Sequence, residues 1–287
     1  MQQPAFNTVA ILGVGLLGGS FGLALRARGL CRTIVGYSRT PETLRRAADR
    51  GIIDTAAQDP AAACRGADLV LVAAPVGSFL GLIEQAKSGL GRGAVVTDVG
   101  SVKGRLVFEM EAAMPDGVLF VGSHPIAGSD RSGVEHADAG LFDRARCIVT
   151  PTEGTDPAAR DAVAELWRRL GSEVVFLSPQ EHDRIYSAVS HLPHLVAYAV
   201  MNAVFRIDPA SLGFAGSGFR DLTRIAASPP ELWTDISLMN RENLLAQITA
   251  FEQAVGEIKG LLERTDREGL LAALAQAQSL RETLGQH

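Results

Sequence analysis

The first 178 residues alternate between two rhythms. Short apolar runs recur at residues 9–12, 33–37, 68–74, 94–99, 118–121, 145–150 and 173–177. Between them lie segments whose apolar positions are three and four apart. Short runs without polar alternation read as strands buried on both faces, and the intervening spacing reads as amphipathic helix. Strands alternating with helices imply a parallel sheet covered on both sides. The punctuation agrees. Thr40-Pro41-Glu42 gives an N-cap with proline at the first helical position and predicts a helix to about Asp49. Asp156-Pro157 starts another that carries Trp167. Pro75 stops the 68–74 strand, and a helix follows from about Gly77 to Lys87.

The pattern changes at residue 178. Ser178-Pro179-Gln180-Glu181 is a capping box with proline at its first helical position, and the Leu- and Ala-rich chain beyond it has helical spacing throughout. Long helices are predicted over about 179–206, 230–263 and 266–285, the first kinked at Pro193. The chain therefore reads as a doubly wound, mostly parallel α/β domain of the Rossmann type over 1–178 and an all-helical domain over 179–287. The helices carry more apolar residues than one small bundle covers. Leu261, Leu262, Leu270, Leu271, Leu274 and Leu280 predict a homodimer formed through this second domain.

The first strand ends in Gly13-Val14-Gly15-Leu16-Leu17-Gly18 and runs directly into helical spacing. Gly13 permits the tight turn, Gly15 lets backbone approach a pyrophosphate, and Gly18 lets helix pack on strand. The helix N-terminus then offers free N–H groups and partial positive charge to the phosphates. With the 33–37 strand this closes a unit of roughly 30 residues, as a dinucleotide-binding motif requires. Leu16 and Leu17 in the fingerprint, and Pro75 at the end of the neighbouring strand, are assigned to the same cofactor site.

An acidic residue about 20 positions after the glycines selects NAD, whereas an arginine there accommodates the 2′-phosphate of NADP. The second strand here ends Tyr37-Ser38-Arg39, a hydroxyl and a guanidinium with no carboxylate. NADP is therefore favoured over NAD.

Composition narrows the partners. The chain has 287 residues, 47% of them hydrophobic, and a formal charge of −5. That balance argues against nucleic acid or an anionic membrane as a general partner, so an anionic substrate would need locally placed arginines. Cys31, Cys64 and Cys147 are odd in number and lack metal-ligand spacing, which fits a reducing cytoplasm and no bound metal. No basic segment leading into an apolar signal core is found at the N-terminus, and no apolar stretch of 18 residues is expected to span a bilayer.

Four further stretches carry candidate chemistry: Asp98-Val99-Gly100-Ser101-Val102-Lys103, Gly122 to Asp130, Ser190-His191-Leu192-Pro193-His194, and Gly216-Ser217-Gly218-Phe219-Arg220-Asp221-Leu222-Thr223-Arg224-Ile225-Ala226. The first two follow strands at their carboxyl ends, where open α/β sheets bind ligands. In this order and combination, from the first glycines to about Arg241, the motifs resemble the prephenate/arogenate dehydrogenase family of tyrosine biosynthesis. The resemblance implies oxidative decarboxylation of a small dianionic substrate to a phenol, with hydride passing to a nicotinamide.

It also implies residue roles. His124, in the loop His124-Pro125-Ile126-Ala127-Gly128, would accept the ring hydroxyl proton. Ser101 would hydrogen-bond that histidine and the hydroxyl, and His194 would reach the substrate pocket. Arg224 would grip the ring carboxylate, supported by Arg220 and Ser217, with Asp221 behind Arg220. Ser129 and Asp130 stand where many relatives have Thr and Glu, a conservative departure that leaves the contact of the shorter acid open. His136, His182 and His287 have no motif context and are assigned no role.

Two other readings compete. β-Hydroxyacid dehydrogenases and imine reductases also join a nucleotide domain to a helical one, but they place a catalytic Lys or Asp on the helices, and Lys259 is the only lysine after Lys103. A silent NADP-sensing regulator would leave the paired arginines without a purpose.

Overall fold

In the computed structural model, which describes residues 5–128 and 131–284, the strand–helix alternation runs as follows. β1 (Phe6–Leu12) leads through α1 (Leu16–Ala27) to β2 (Cys31–Tyr37) and α2 (Pro41–Asp49). Then come β3 (Thr55–Ala56), α3 (Pro60–Cys64), β4 (Leu69–Val72), α4 (Phe79–Ala86), β5 (Val95–Asp98), α5 (Gly104–Ala113) and β6 (Leu119–Pro125). β7 (Arg146–Thr150), α6 (Pro157–Arg169) and β8 (Glu173–Phe176) complete the sheet, whose order is β3-β2-β1-β4-β5-β6-β7-β8. Every neighbouring pair is parallel except β6 and β7. Val9 to Leu12 of β1 and all of β4 are buried, with one layer around Phe21 and Trp167 and another around Phe79 and Met110. This is the Rossmann-type order anticipated from the alternation, with its crossovers reversing on either side of β1.

The caps behave as the sequence implies. Asp156 accepts from the Ala159 N–H, and Ser178 and Glu181 make both bonds of a capping box. Thr40 stands at the N-cap of α2 with Pro41 after it, but its side chain makes no capping bond.

One local expectation changes. The strand at 118–121 extends to Pro125, so His124 lies on β6 and not in a loop. The cause is β7, which folds back antiparallel and pairs Gly122 with Thr150, His124 with Ile148 and Pro125 with Cys147. A Gly/Pro-rich segment is thereby held extended by ladder hydrogen bonds.

Beyond the sheet come α7 (Pro179–Tyr186), a π-helical turn at Ser187–His191, α8 (Leu192–Ile207), α9 (Ser217–Thr223) and α10 (Pro230–Met239). The widened turn sits just before Pro193, which has no N–H to continue the α ladder. Helical backbone is nonetheless continuous from Pro179 to Ile207, 29 residues. Its 18-residue window of mean hydropathy 1.3 is long and apolar enough to cross a membrane, and 11% of that window is buried in the chain. This corrects the expectation that no such stretch exists: His191 and His194 interrupt the apolar run without lowering its average enough.

The helix expected over 230–263 is broken at Asn240, a buried residue whose amide donates to the Asp183 carbonyl at 2.9 Å. The compact unit that contains the sheet reaches to this point, Met1–Asn240, past the change of pattern at residue 178. The second unit, Arg241–His287, consists of α11 (Arg241–Glu263) and α12 (Arg267–Thr283). Asp266 caps α12 by accepting from the Gly269 N–H, and Leu262, Leu271, Leu274 and Leu280 are exposed.

Candidate active site

Because β1, β4, β5 and β6 are mutually parallel, their carboxyl ends share one edge of the sheet. That edge carries the glycine turn, Pro75, the loop from Gly100 to Lys103, and His124.

A cleft of about 470 Å³ opens beside the glycine turn. Gly13, Val14, Gly15, Pro75 and the β2 end Tyr37-Ser38-Arg39 line it. Gly13 has φ +110°, and a Cβ there would lie 2.5 Å from the Ala73 carbonyl oxygen, so both the turn and the close approach require glycine. Gly15 is different: nothing lies within 4 Å of where its Cβ would be, on the cleft side of the α1 N-terminus. That helix has neither a side-chain cap nor an acidic residue in its first turn, so its positive end is unopposed. Leu16, Leu17 and Gly18 form this turn. A Cβ on Gly18 would overlap the Gly13 carbonyl oxygen, so Gly18 serves helix–strand packing. The donor set and the cradle fit a pyrophosphate-linked dinucleotide.

Two carboxylates beyond the end of the second strand belong to the same site. Glu42 and Glu135 also line the cleft, from α2 and from the segment after Gly133. Glu42 is bound by both Arg45 and Arg46, which hold its carboxyl down at about 2. The Gly133–Glu135 wall is fixed by Arg50, which donates to the carbonyls of Val134 and Ala137.

The β5–β6 corner is organised by a buried ion pair. Asp98 meets the ammonium of Lys103 and accepts from the N–H groups of Gly100 (2.7 Å) and Ser123 (3.0 Å). Both side chains are 1% exposed, and the hydrogen bonds offset the desolvation that pushes the Asp98 carboxyl up. This arrangement fixes the loop that carries Ser101 against the strand that carries His124. Ser101 itself makes no side-chain hydrogen bond among the described residues.

His124 pairs with an unforeseen partner. Its Nδ1 lies 2.8 Å from Nε2 of His182, whose own Nδ1 is 2.8 Å from Asp183 Oδ1. Tyr186, one helical turn after His182, stacks on that ring at 4.6 Å and tilts against His124 at 5.2 Å. Burial lowers both histidines, His182 to about 2 and His124 well below its ordinary value. Both rings are therefore neutral at pH 7. The sequence does not single out His182 and Asp183, which sit in a helix with no motif around them. The available signal was spacing: His182 and Tyr186, four apart, share one helix face.

His191 is buried edge-on to Trp233, and His194 stacks on the same indole while its Nδ1 donates to the Ser190 carbonyl at 2.9 Å. Burial lowers His194, aided by the nearby guanidinium of Arg224. Arg224 follows the last turn of α9, exposed, and neither it nor Arg220 has a carboxylate within ion-pair range among the described residues. Asp221 does not pair with Arg220. Ser217, exposed, begins α9. Ser129 and Asp130 lie outside the described residues.

The family model "Prephenate dehydrogenase, nucleotide-binding domain" matches residues 21–176, and "Prephenate dehydrogenase, dimerization domain" matches residues 178–276. The crystal structure of prephenate dehydrogenase from A. aeolicus, in complex with hydroxyphenyl propionate and NAD+, superimposes with a TM-score of 0.92 and 37% identity. It covers 97% of this chain and 98% of that one. The prephenate dehydrogenase of Bacillus subtilis is 34% identical over 97% of this chain and 76% of its own length. The cyclohexadienyl dehydrogenase of Zymomonas mobilis is 31% identical, over 97% and 96% respectively.

Proposed function

The chain belongs to the prephenate dehydrogenase family, and we propose that it oxidatively decarboxylates prephenate or arogenate, favouring NADP over NAD. The products are 4-hydroxyphenylpyruvate or tyrosine. The nicotinamide, when bound, supplies the acceptor for the hydride that leaves the ring carbon bearing the hydroxyl.

One observation carries the reading. His124 is a neutral imidazole at the carboxyl edge of the sheet, with Nδ1 engaged by His182 and Nε2 without a partner among the described residues. A ring in that state accepts the hydroxyl proton as hydride departs, and ionising the oxygen drives loss of CO₂ and aromatisation. Ser101, close after β5, orients the same hydroxyl. Arg224 binds the ring carboxylate, a role supported by the absence of any carboxylate in ion-pair range of it among the described residues, and a guanidinium grips a carboxylate through two parallel bonds. Arg220, Ser217 and His194 line the substrate side.

For the cofactor, Ser38 and Arg39 meet the adenosine 2′-phosphate, and the guanidiniums bound to Glu42 neutralise the nearest carboxylate of α2. The exposed apolar residues Val189, Phe205, Ile207, Phe214 and Leu238 are covered by a second copy, making the active species a homodimer.

The deciding assay follows absorbance of the reduced nicotinamide with prephenate and with arogenate, each with NAD and with NADP. Turnover with at least one pair, faster with NADP, is expected. No turnover with any of the four would sink the assignment of activity, and a preference for NAD would reverse the cofactor choice.

A further inference from the structure

The hydrogen bonds around His124 have a direction that the side-chain chemistry fixes. Asp183 Oδ1 accepts the Lys103 N–H at 2.8 Å. Its Oδ2 lies where the Gly104 backbone would carry a side chain, so the carboxylate closes over the uncapped start of α5. A backbone N–H can only donate and an ionised carboxylate can only accept, so the His182 nitrogen facing Asp183 must carry the proton. A neutral imidazole has one N–H. With Nδ1 of His182 protonated, its Nε2 is an acceptor, and the nitrogen 2.8 Å away, His124 Nδ1, must be the donor. The lone pair of His124 is then on Nε2.

The surroundings leave no competing direction. His182 is fully buried and Asp183 is 3% exposed. The nearest cation, Lys103 on the same loop, spends its ammonium on Asp98 of β5. The backbone carbonyl of Asp183 is used too, by Asn240 at the end of α10. Tyr186 holds the planes of both imidazoles. Four elements, β5, α5, α7 and α10, therefore converge to orient one ring on β6.

We infer that His182 and Asp183 are positioning residues for the dehydrogenase reaction: they lock His124 in the tautomer that presents Nε2 as proton acceptor. The inference rests on the reading of His124 as the base. Neither residue needs to touch substrate or exchange a proton. A carboxylate one ring further from the reacting atom supplies orientation, much as an orienting acid does for a histidine beside a nucleophile.

The test uses the full chain labelled with ¹⁵N-histidine. In the wild type, the His124 resonances, identified by their loss in His124→Asn, should show a pyridine-type Nε2 and a pyrrole-type Nδ1. The opposite assignment overturns the inference whatever the activity. His182→Leu and Asp183→Ala should mix the tautomers and lower kcat about 10- to 100-fold, part of what a general base contributes, with KM nearly unchanged. His182→Gln retains an acceptor oxygen for the Nδ1–H and should recover most of that loss. Folded Leu and Gln variants with equal kcat and an unmoved tautomer would show a packing role only. If His124→Asn alone keeps full turnover, the base assignment fails, while the nitrogen spectrum still reads the tautomer.

Discussion

The ring of His194 lies flat on the indole of Trp233, with centroids 3.5 Å apart and planes inclined by 18°. The same indole meets His191 edge-on at 6.0 Å. One aromatic side chain from α10 thus shapes the environment of two histidines from the helical segment Pro179–Ile207. Trp233→Ala should cost about 3–5 kcal/mol of stability, as large buried aromatics do, read from the unfolding midpoint. It should also move the His194 pKa up toward its ordinary value, because burial is the main cause of its depression. A folded variant whose His194 titrates unchanged would separate the stack from that effect.

Acid should destabilise this protein through its buried histidines. Burial holds His182 at about 2 and His191 at about 4, and depresses His124 as well. Below pH 6.5 the unfolded chain binds protons at these rings that the folded chain refuses, so stability falls as pH drops. Asp183 acts in the opposite sense, since burial raises it to about 6 and the folded carboxyl binds a proton first. His194 is lowered as well and Asp98 raised as well, so four histidines oppose two carboxylates, unfolding takes up protons on balance, and stability falls from pH 7 toward pH 5. Denaturant titrations at pH 7, 6 and 5 check this, and a flat profile would contradict it.

His124→Asn should lower kcat by about 10²–10⁴-fold, the contribution of a general base. Dissociation of the oxidised cofactor, followed by fluorescence, should change little. Wild-type turnover in this variant would remove His124 from the chemistry.

Arg224→Ala should raise KM by about 30-fold or more, corresponding to a loss of at least about 2 kcal/mol for an unpaired carboxylate. Arg224→Lys should recover only part, since an ammonium cannot make the paired bonds. Steady-state kinetics with kcat and KM resolved distinguish these outcomes, and a KM near wild type in the alanine variant would assign the ring carboxylate elsewhere.

Arg39→Ala should reduce kcat/KM with NADP about tenfold, as expected for losing one charge-assisted contact of about 1.4 kcal/mol, and barely affect NAD. Equal losses with both cofactors would mean that Arg39 does not read the 2′-position.

The nucleotide half was the more legible because its signals are local. Gly13 is required by its own positive φ and Gly18 by the Gly13 carbonyl five residues before it, and the caps at Asp156 and Ser178 act within three residues. The Asp98 to Lys103 stretch was visible as a motif, yet its buried ion pair was not, since pairing depends on how the loop folds over β6. His182 and Asp183 were illegible for a stronger reason. Their partners, His124 and the Lys103 N–H, are 58 and 80 residues away, and a helical His-Asp pair looks like any solvated polar face until another element covers it.

The amino-acid order by itself determined the parallel sheet, the glycine turn at a helix N-terminus and the change to helix at residue 178, because each follows from spacing, backbone freedom or capping within a few positions. The tertiary structure decided that the strand carrying His124 continues to Pro125, that the helix expected over 230–263 breaks at Asn240, and which histidine meets which. Those outcomes depend on antiparallel pairing with β7 and on burial by segments far along the chain, and no local pattern encodes a contact whose energy exists only once both partners leave water.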